Sequence, residues 1–357
     1  MTRSIDRCAA IDLALSPSLA DGDARRHLDL LVTPGRTASL HGCIRRLQRR
    51  FQVYAATCPV PLPAPGLVIT PEIRYQSELY LPIAEVAAVF HRLYRTTLTY
   101  PPILESTPFH AALSWADLFV ALPPPFQSSA NPAQLLEQLL CDSELLEEFL
   151  FASFLPRRFY GGFRRYPRQR EFVRAWLNAC DKKILRCLDA ASGTGEDSYG
   201  MALLLLENGY HPAQLQIEGW TLEPLEVWSA AHASFPHDPE RQAVYRRETE
   251  TVFTCGAAER LRFRTVDLRK LSPEEPGMFD LILCNGLLGG PILNDPGEVQ
   301  RVAAGLAGLL APRGMLLTAD SFHGGWKQKH PQDWLRVQLE SLGLVVSPAG
   351  EGLSACT

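Results

Sequence analysis

The feature that most constrains the fold is a regular alternation of apolar strands and helical stretches that begins at residue 184. The strand candidates are 184–191, 215–222, 261–267, 279–286 and 314–321, and the helical stretches are 197–208, 224–235, 297–310 and 331–342. Nearly continuous apolar strands that alternate with helices are typical of a parallel sheet covered on both faces. The sequence therefore predicts an α/β, Rossmann-like, mostly parallel sheet flanked by helices. A ligand would bind beyond the carboxyl ends of the strands.

The first 150 residues show a different spacing of apolar residues. Their apolar residues recur at helical spacing over 38–56, 79–98, 111–122 and 131–155, and a Pro-rich connector at 58–66 interrupts them. A length of 357 residues allows two domains on a prior of ~150 residues each. We predict an α-rich N-terminal domain over residues 1–155, acting as a lid, a substrate-selecting domain or an interaction surface, and a cofactor-binding domain over residues 156–357.

Composition excludes some classes of function. The net charge is −4, which gives no whole-molecule argument for nucleic acid. Nine cysteines occur without a CxxC pair, so the sequence predicts neither a zinc site nor a redox site. We find no leader-like segment and no window of ~20 apolar residues, so we expect no membrane span and a cytoplasmic location. Four arginines within 45–50 would bind an acidic partner or form a solvated helix face, and the N-terminal domain is a candidate homodimer surface.

The segment CLDAASGTGEDSYGMAL at 187–203 runs from a strand through a glycine-bearing turn into a helix. Gly193 and Gly195 allow a ligand to approach the backbone, but the third glycine position of a dinucleotide fingerprint is Ser198. Two consecutive acids at the start of the helix would repel a pyrophosphate. A positively charged cofactor suits them better, and S-adenosyl-L-methionine, with its sulfonium and ammonium groups, is the electrostatic match.

The same segment resembles the cofactor loop of class I S-adenosylmethionine-dependent methyltransferases, and within them the CheR type, over roughly residues 158–345. Ala191 stands where the class pattern has its first glycine. The resemblance implies that the first strand and its loop bind the cofactor. The implied residues are Asp189, Ala191, Ser192, Gly193, Gly195, Glu196 and Tyr199.

The resemblance extends to the ends of the second and third strands. The class implies an acid for the ribose hydroxyls after the second strand, where this chain has Thr221, followed by Leu222 and Glu223. Either Thr221 or Glu223 would make the ribose contact. Glu223 has an alternative role, in which it only stabilises the N-terminus of the next helix. After the third strand, Asp267 and Leu268 match the positions implied to contact the adenine.

The substrate side departs from the CheR pattern. The fourth strand ends in Cys284 and Asn285, implied to face the methyl-transfer space, but the arginine and tyrosine of the CheR run are missing. Upstream, Arg164 is the match for an arginine implied to bind the methionine carboxylate, and Arg165 is its neighbour. After the fifth strand, His323 is a candidate base or a loop residue that helps to close the pocket.

We therefore expect a CheR-like methyltransferase that acts on an unidentified small-molecule or protein acceptor, with His323 and Asn285 as catalytic candidates. One alternative is a protein-glutamate O-methyltransferase of the chemotaxis type, against which the two missing residues count. Another is a catalytically degenerate protein that binds the cofactor and acts through its N-terminal domain. Binding of NAD would favour a dehydrogenase instead.

Overall fold

The structure is a computed structural model, which describes residues 11–33, 40–155, 162–272 and 277–357. The described residues form two compact units. The first contains residues 25–33, 40–155 and 235–239, and the second contains residues 12–24, 162–234, 240–272 and 277–357. The second unit thus takes in residues 12–24, which the sequence prediction assigned to the N-terminal domain. Residues 38–39 of the first predicted helix and residues 158–161 of the stretch that resembles the class I methyltransferases lie outside the described residues.

Eight strands and fifteen α-helices are defined within the described residues. The strands are β1 Ala14–Leu15, β2 Leu185–Asp189, β3 Leu215–Thr221, β4 Leu261–Thr265, β5 Phe279–Leu283, β6 Leu310–Ala319, β7 Val345–Ala349 and β8 Gly352–Cys356. The helices are α1 Asp21–Leu31, α2 His41–Thr57, α3 Pro71–Tyr80, α4 Ile83–Thr97, α5 Pro108–Ala111, α6 Trp115–Ala121, α7 Pro132–Cys141, α8 Ser143–Phe154, α9 Pro167–Asn178, α10 Glu196–Glu207, α11 Pro224–His232, α12 Pro239–Thr254, α13 Pro296–Gly308, α14 Gly324–Lys329 and α15 Gln332–Glu340.

The second unit is built on one eight-stranded sheet with the order β1-β4-β3-β2-β5-β6-β8-β7. Strands β2 to β6 are parallel to one another, whereas β1 pairs antiparallel with β4 at one edge and β8 and β7 pair antiparallel beyond β6 at the other. After the edge strand β1, the chain enters the middle of the sheet at β2, moves outward through β3 and β4, and returns to β5 on the other side of β2. The carboxyl ends of β2, β3 and β5 meet at this change of direction, which is where open α/β sheets bind ligands.

Burial of the strands explains why this sheet forms. All five residues of β5 are buried, and so is every residue of β2 except one arginine. Such strands need helices on both faces, and α10, α11 and α13 each bury an apolar face. Helix starts are marked by side chains that accept backbone amide hydrogen bonds, such as Glu223 before α11 and Asp295 before α13.

The first unit is helical throughout its regular elements and is held by aromatic packing. The rings of Phe90 and Phe109 stack with centroids 4.6 Å apart, and Trp115 and Phe149 pack on the same Phe90 ring. Asn131 caps α7 through a 3.0 Å hydrogen bond that its side chain accepts from the amide of Ala133. No helix in the described ranges is long and apolar enough to cross a bilayer.

The predicted fold class is confirmed, and the strands and helices of the alternating region lie where the sequence placed them. Among the elements of the second unit that were not predicted are β1, α12 and the short helix α14. Strand β1 has only two residues, and α12 carries six charged residues among its sixteen, so that neither has a clear apolar period. The last two strands, β7 and β8, form an antiparallel hairpin, and β8 pairs with β6.

Candidate active site

The turn between β2 and α10 is fixed by its own backbone. The amide of Ser192 donates to the carbonyl of Trp220 on β3 (2.9 Å), and the amide of Gly195 donates to the carbonyl of Ser192 (2.8 Å). Gly193 has φ +51°, and a Cβ placed there would meet only the Glu226 Oε1 atom, at 3.9 Å. The backbone of Gly193 is therefore open to a ligand on the side that Glu226 faces. Ala191, earlier in the turn, is half-buried.

The second glycine of the turn has a packing role. A Cβ at Gly195 would lie 2.8 Å from Cε1 of Phe263 and 3.1 Å from Cβ of Ala230. The same ring excludes a Cβ at Gly219, at 2.6 Å. Tyr199 completes this cluster: its ring centroid lies 5.5 Å from that of Phe263, and its hydroxyl donates to the carbonyl of Ala230. The structure thus places Gly195 and Tyr199 in the core beneath the loop.

The two acids that open α10 each pair with an arginine of the chain. Glu196 contacts the guanidinium of Arg241 at 2.7 Å, and this ion pair and the Thr194 hydroxyl lower the pKa of Glu196 although burial raises it. Asp197 contacts Arg165 at 2.9 Å. The charge of both acids is therefore largely balanced within the protein. Electrostatic attraction of a cationic cofactor would therefore depend on two other acids near the turn.

Asp189, at the end of β2, is one of them. It is 1% exposed, and its Oδ2 accepts a 2.7 Å hydrogen bond from the hydroxyl of Ser198. Burial, together with the nearby charge of Asp197, raises the pKa of Asp189 to about 7. Asp189 is thus a carboxyl group that gains from a positively charged partner.

The other is Glu226, which the sequence interpretation did not single out. It lies in the first turn of α11 and reaches back to accept a hydrogen bond from the hydroxyl of Thr221. Burial raises the pKa of Glu226 and Glu196 adds to this, while Thr221 and Arg241 oppose it. Glu226 therefore brings a carboxylate to the end of β3, where the sequence has a threonine.

The residues predicted around the ribose take separate positions. Glu223 is buried, and its Oε1 atom caps α11 by accepting a hydrogen bond from the amide of Leu225 (3.2 Å). This is the alternative role at the N-terminus of the helix that the sequence suggested. Leu222 is 39% exposed. Thr221 is half-buried and bonded to Glu226, as described above.

At the end of β4, Asp267 caps a short turn. Its Oδ1 accepts from the amide of Arg269 (3.2 Å) and from the Nε of the same arginine (2.9 Å). Burial raises the pKa of Asp267, but Arg269 outweighs it and the pKa is lowered overall. Leu268 is buried beside it at 8% exposure. The predicted adenine end therefore combines an ionised acid with an apolar side chain.

A buried amide cluster lies at the end of β5. Asn285 and Gln169 exchange two side-chain hydrogen bonds, at 2.9 and 3.1 Å, and Asn285 also donates to Asp197 at 3.2 Å. Cys284 is 1% exposed, and burial raises the pKa of its thiol to about 12, so that it stays protonated. Asn285 and Asp197 are thus held together with Arg165 in one polar network.

The two arginines of the upstream segment have different surroundings. Arg164 is exposed, whereas Arg165 is partly buried against Asp197 with its side chain 23% exposed. The Nε atom of Arg165 is buried and has no hydrogen-bond partner within the described part of the chain. Arg165 is therefore the arginine that the structure brings to the site.

At the end of β6, His323 lies beside an acid that was not predicted. The Nδ1 atom of His323 is 3.0 Å from Oδ2 of Asp320, and the backbone amides of Phe322 and His323 donate to Oδ1. Sequence reasoning missed Gln169 because its partner Asn285 is distant in sequence, and it missed Glu226 because this side chain reaches the end of β3 from within a helix. Asp320 directly follows β6, so the position of the strand end would have identified it.

No protein-family model matches the chain. Over 171 residues the chain is 28% identical to the "Probable biofilm formation methyltransferase WspC" of Pseudomonas putida, a match that covers 43% of this chain and 39% of that protein. The chain thus spans less than half the length of this curated relative.

Among solved structures, the N-methyltransferase NodS from Bradyrhizobium japonicum in complex with S-adenosyl-L-homocysteine overlaps with a TM-score of 0.36 at 13% identity, covering 60% of this chain and 96% of that one. A TehB-like SAM-dependent methyltransferase from Corynebacterium glutamicum overlaps with a TM-score of 0.32 at 14% identity, covering 60% and 95%. Overlaps with TM-scores this low do not support a fold assignment, which rests instead on the strand order of the sheet.

The strand order, with its antiparallel edge hairpin and the glycine-bearing turn after the central strand, defines the fold of the class I S-adenosylmethionine-dependent methyltransferases. The chain resembles the CheR type, and the curated relative to which it is similar, over 171 residues, is WspC. The resemblance predicted from the loop at 187–203 is therefore confirmed.

Proposed function

We propose that the second unit binds S-adenosyl-L-methionine at the carboxyl edge of its sheet and transfers the methyl group to an acceptor. The observation that carries the proposal is the open turn after β2. Gly193 leaves room for close approach, and the hydroxyl of Ser192 is buried without a hydrogen-bond partner among the described residues. A buried hydroxyl that lacks a partner costs free energy, so that a bound polar group would compensate it.

The donor set around this turn fits the cofactor. Asp189 offers a buried carboxylate to the positively charged end, and Arg165, which has a spare donor nitrogen, offers a partner for the carboxylate. Glu226 and Thr221 offer acceptors for the ribose hydroxyls, and Asp267 lies where the adenine is expected. When bound, the cofactor supplies an electrophilic methyl group.

The chain's own residues then do the positioning. Methyl transfer is an in-line displacement, in which most of the rate enhancement comes from orientation and preorganised charges. The Asn285–Gln169–Asp197 network holds the end of β5 rigid beside the turn. Burial of these groups excludes water and strengthens their electrostatic interactions.

Calorimetry with S-adenosyl-L-methionine and S-adenosyl-L-homocysteine tests the proposal. We expect both to bind, and we expect Gly193→Arg to abolish binding because the side chain would fill the open face. The matched control is Gly209→Arg at the other end of α10: Gly209 also has a positive φ (+84°), but nothing lies within 4 Å of a Cβ there. Absence of binding to the unaltered chain, or equal effects of the two substitutions, would refute the proposal. NAD is the comparison ligand, and its binding would favour a dehydrogenase.

A further inference from the structure

Helix α12 holds the turn that follows β2. The hydroxyl of Tyr245 donates a hydrogen bond to the carbonyl of Thr194. One turn earlier on the same helix, Arg241 donates to the hydroxyl of Thr194 (2.6 Å) and to one carboxylate oxygen of Glu196 (2.7 Å). The Thr194 hydroxyl itself donates to the other oxygen of Glu196 (2.7 Å). Thr194 is thus fixed both at its carbonyl and at its side chain.

The turn needs such contacts because of its own sequence. Thr194 lies between Gly193 and Gly195, whose φ angles are +51° and +89°. Glycine loses more backbone freedom on ordering than any other residue, so a Gly-Thr-Gly run is costly to hold in one conformation. Within the turn, the amide of Gly195 donates to the carbonyl of Ser192. The contacts on Thr194 therefore restrict the backbone of the glycines on either side of it.

Helix α12 leaves the open face of the turn free. Apart from its neighbours in the chain, a Cβ placed on Gly193 would have only Oε1 of Glu226 within 4 Å among the described residues, and so no atom of α12. The ring of Tyr245 is instead anchored in the core, where its centroid lies 5.7 Å from that of Tyr199 and 5.0 Å from that of Phe163. The helix therefore acts on the shape of the turn without filling the room for a ligand.

Arg241 also acts on the charge of two carboxyl groups beside the turn. Burial raises the pKa of Glu196, but Arg241 and the Thr194 hydroxyl outweigh it, so that Glu196 stays ionised in its ion pair. Burial raises the pKa of Glu226 as well, and Arg241 opposes this rise. One cation of α12 thus supports both the conformation of the turn and the ionisation of its neighbours.

We propose that Tyr245 and Arg241 are positioning residues for the methyl donor, which hold Thr194 so that the turn has its binding conformation before the cofactor arrives. The inference rests on the proposed function. A loop that must become ordered on binding lowers the affinity, whereas a loop that is already ordered binds more tightly without any additional contact to the ligand. Neither side chain needs to touch the cofactor for this effect.

The first experiment uses the free chain. Hydrogen exchange followed by mass spectrometry compares a peptide that contains the amides of Ser192 and Gly195 with a peptide from β5. In Tyr245→Phe, which removes only the hydroxyl, we expect the turn amides to exchange roughly 3- to 10-fold faster and the β5 amides to be unchanged. Equal acceleration in both peptides would mean that the hydroxyl stabilises the unit as a whole, and would overturn the inference.

The second experiment is calorimetry with S-adenosyl-L-homocysteine, at a temperature at which every variant is folded. We expect the dissociation constant to rise roughly 3- to 10-fold in Tyr245→Phe and in Thr194→Val, which keeps the branched shape and lacks the hydroxyl. Thr194→Ser retains the hydroxyl and should bind within about twofold of the unaltered chain. A residue that only stabilised the fold would leave the affinity of the folded protein unchanged.

The matched control is Tyr94→Phe. Tyr94 is fully buried in the first unit and its hydroxyl donates to that of Ser153 (2.9 Å), so the variant loses a comparable hydrogen bond that does not involve the turn. It should change neither the exchange of the turn amides nor the dissociation constant, and an equal loss of affinity in this variant would overturn the inference. Absence of binding to the unaltered chain would refute the proposed function. Faster exchange of the turn in Tyr245→Phe with unchanged affinity would refute only the positioning role.

Discussion

The substitution Gly195→Ala should destabilise the second unit by two separable effects. Gly195 has φ +89°, and an L-residue in the left-handed region costs roughly 1–2 kcal/mol. The added methyl group would also lie 2.8 Å from the ring of Phe263, which is buried at 1% exposure, and overpacking of this kind costs typically about 1–3 kcal/mol. The expected loss in free energy of unfolding is therefore about 2–5 kcal/mol.

Gly209→Ala isolates the first effect. Gly209 has nearly the same backbone angle, φ +84°, and no atom lies within 4 Å of its added Cβ. It should cost only the backbone term, roughly 1–2 kcal/mol. The difference between the two alanine variants then measures the overlap with Phe263.

Native-state hydrogen exchange of the β3 amides, followed by mass spectrometry, reports the stability of this region without assuming that the whole chain unfolds in one step. A double-mutant cycle with Phe263→Leu should recover a coupling energy of about 1–3 kcal/mol, because the shorter side chain relieves the overlap. Equal losses for Gly195→Ala and Gly209→Ala, or a coupling energy near zero, would refute the packing role of Gly195.

Three further predictions concern cofactor binding, each measured by calorimetry with S-adenosyl-L-homocysteine. The raised pKa of Asp189, about 7, means that the free carboxyl holds a proton below that pH, and a cationic partner favours its ionised form. Affinity should therefore rise with pH and differ roughly tenfold between pH 6 and pH 8, and Asp189→Asn should remove this dependence; an unaltered pH profile in the variant would contradict the assignment. Glu226→Gln should weaken binding roughly 5- to 20-fold through the loss of a charged hydrogen bond to a hydroxyl, whereas the conservative Thr221→Ser should change it less than about threefold; the reverse order would place the ribose elsewhere. Arg165→Lys keeps the charge but loses the forked donor geometry, so binding should weaken at least roughly tenfold, while Arg164→Lys, on the exposed neighbour, should have no effect; equal effects would contradict the placement of Arg165.

The sequence predicted the sheet because buried parallel strands are apolar along their whole length. Strand β5, with five buried residues in succession, can be predicted from its sequence alone. Strand β1 is not, since its two residues are held mainly by backbone hydrogen bonds to β4. Helix α12 was missed because its charged surface hides the few buried positions, among them Tyr245, whose hydroxyl bonds the carbonyl of Thr194 in the cofactor turn.

The candidate site was predictable at strand ends and not beyond them. Asp189 and Asn285 follow apolar runs directly, so their place at the edge of the sheet is a consequence of topology. Arg241 and Glu226 reach the same edge from within helices, through ion pairs and hydrogen bonds that depend on how those helices pack. No local pattern in the sequence encodes that packing.

The departures from the CheR pattern fall on the two sides of the site in different ways, and this difference bears on function. On the cofactor side, Thr221 stands where the class has an acid. Glu226 brings a carboxylate to the same strand end and accepts a hydrogen bond from the Thr221 hydroxyl. A carboxylate is thus retained at the end of β3 from another element. On the acceptor side, the run after β5 lacks the arginine and the tyrosine of the CheR pattern, and the phenol of Tyr166 returns a tyrosine to the end of β5 from another segment. The same strand end also faces the imidazole of His323, which lies beside the carboxylate of Asp320. A cofactor side that keeps its groups beside an altered acceptor side is what the same methyl donor with a different acceptor chemistry would require, because catalysis depends on complementarity to the reacting atoms.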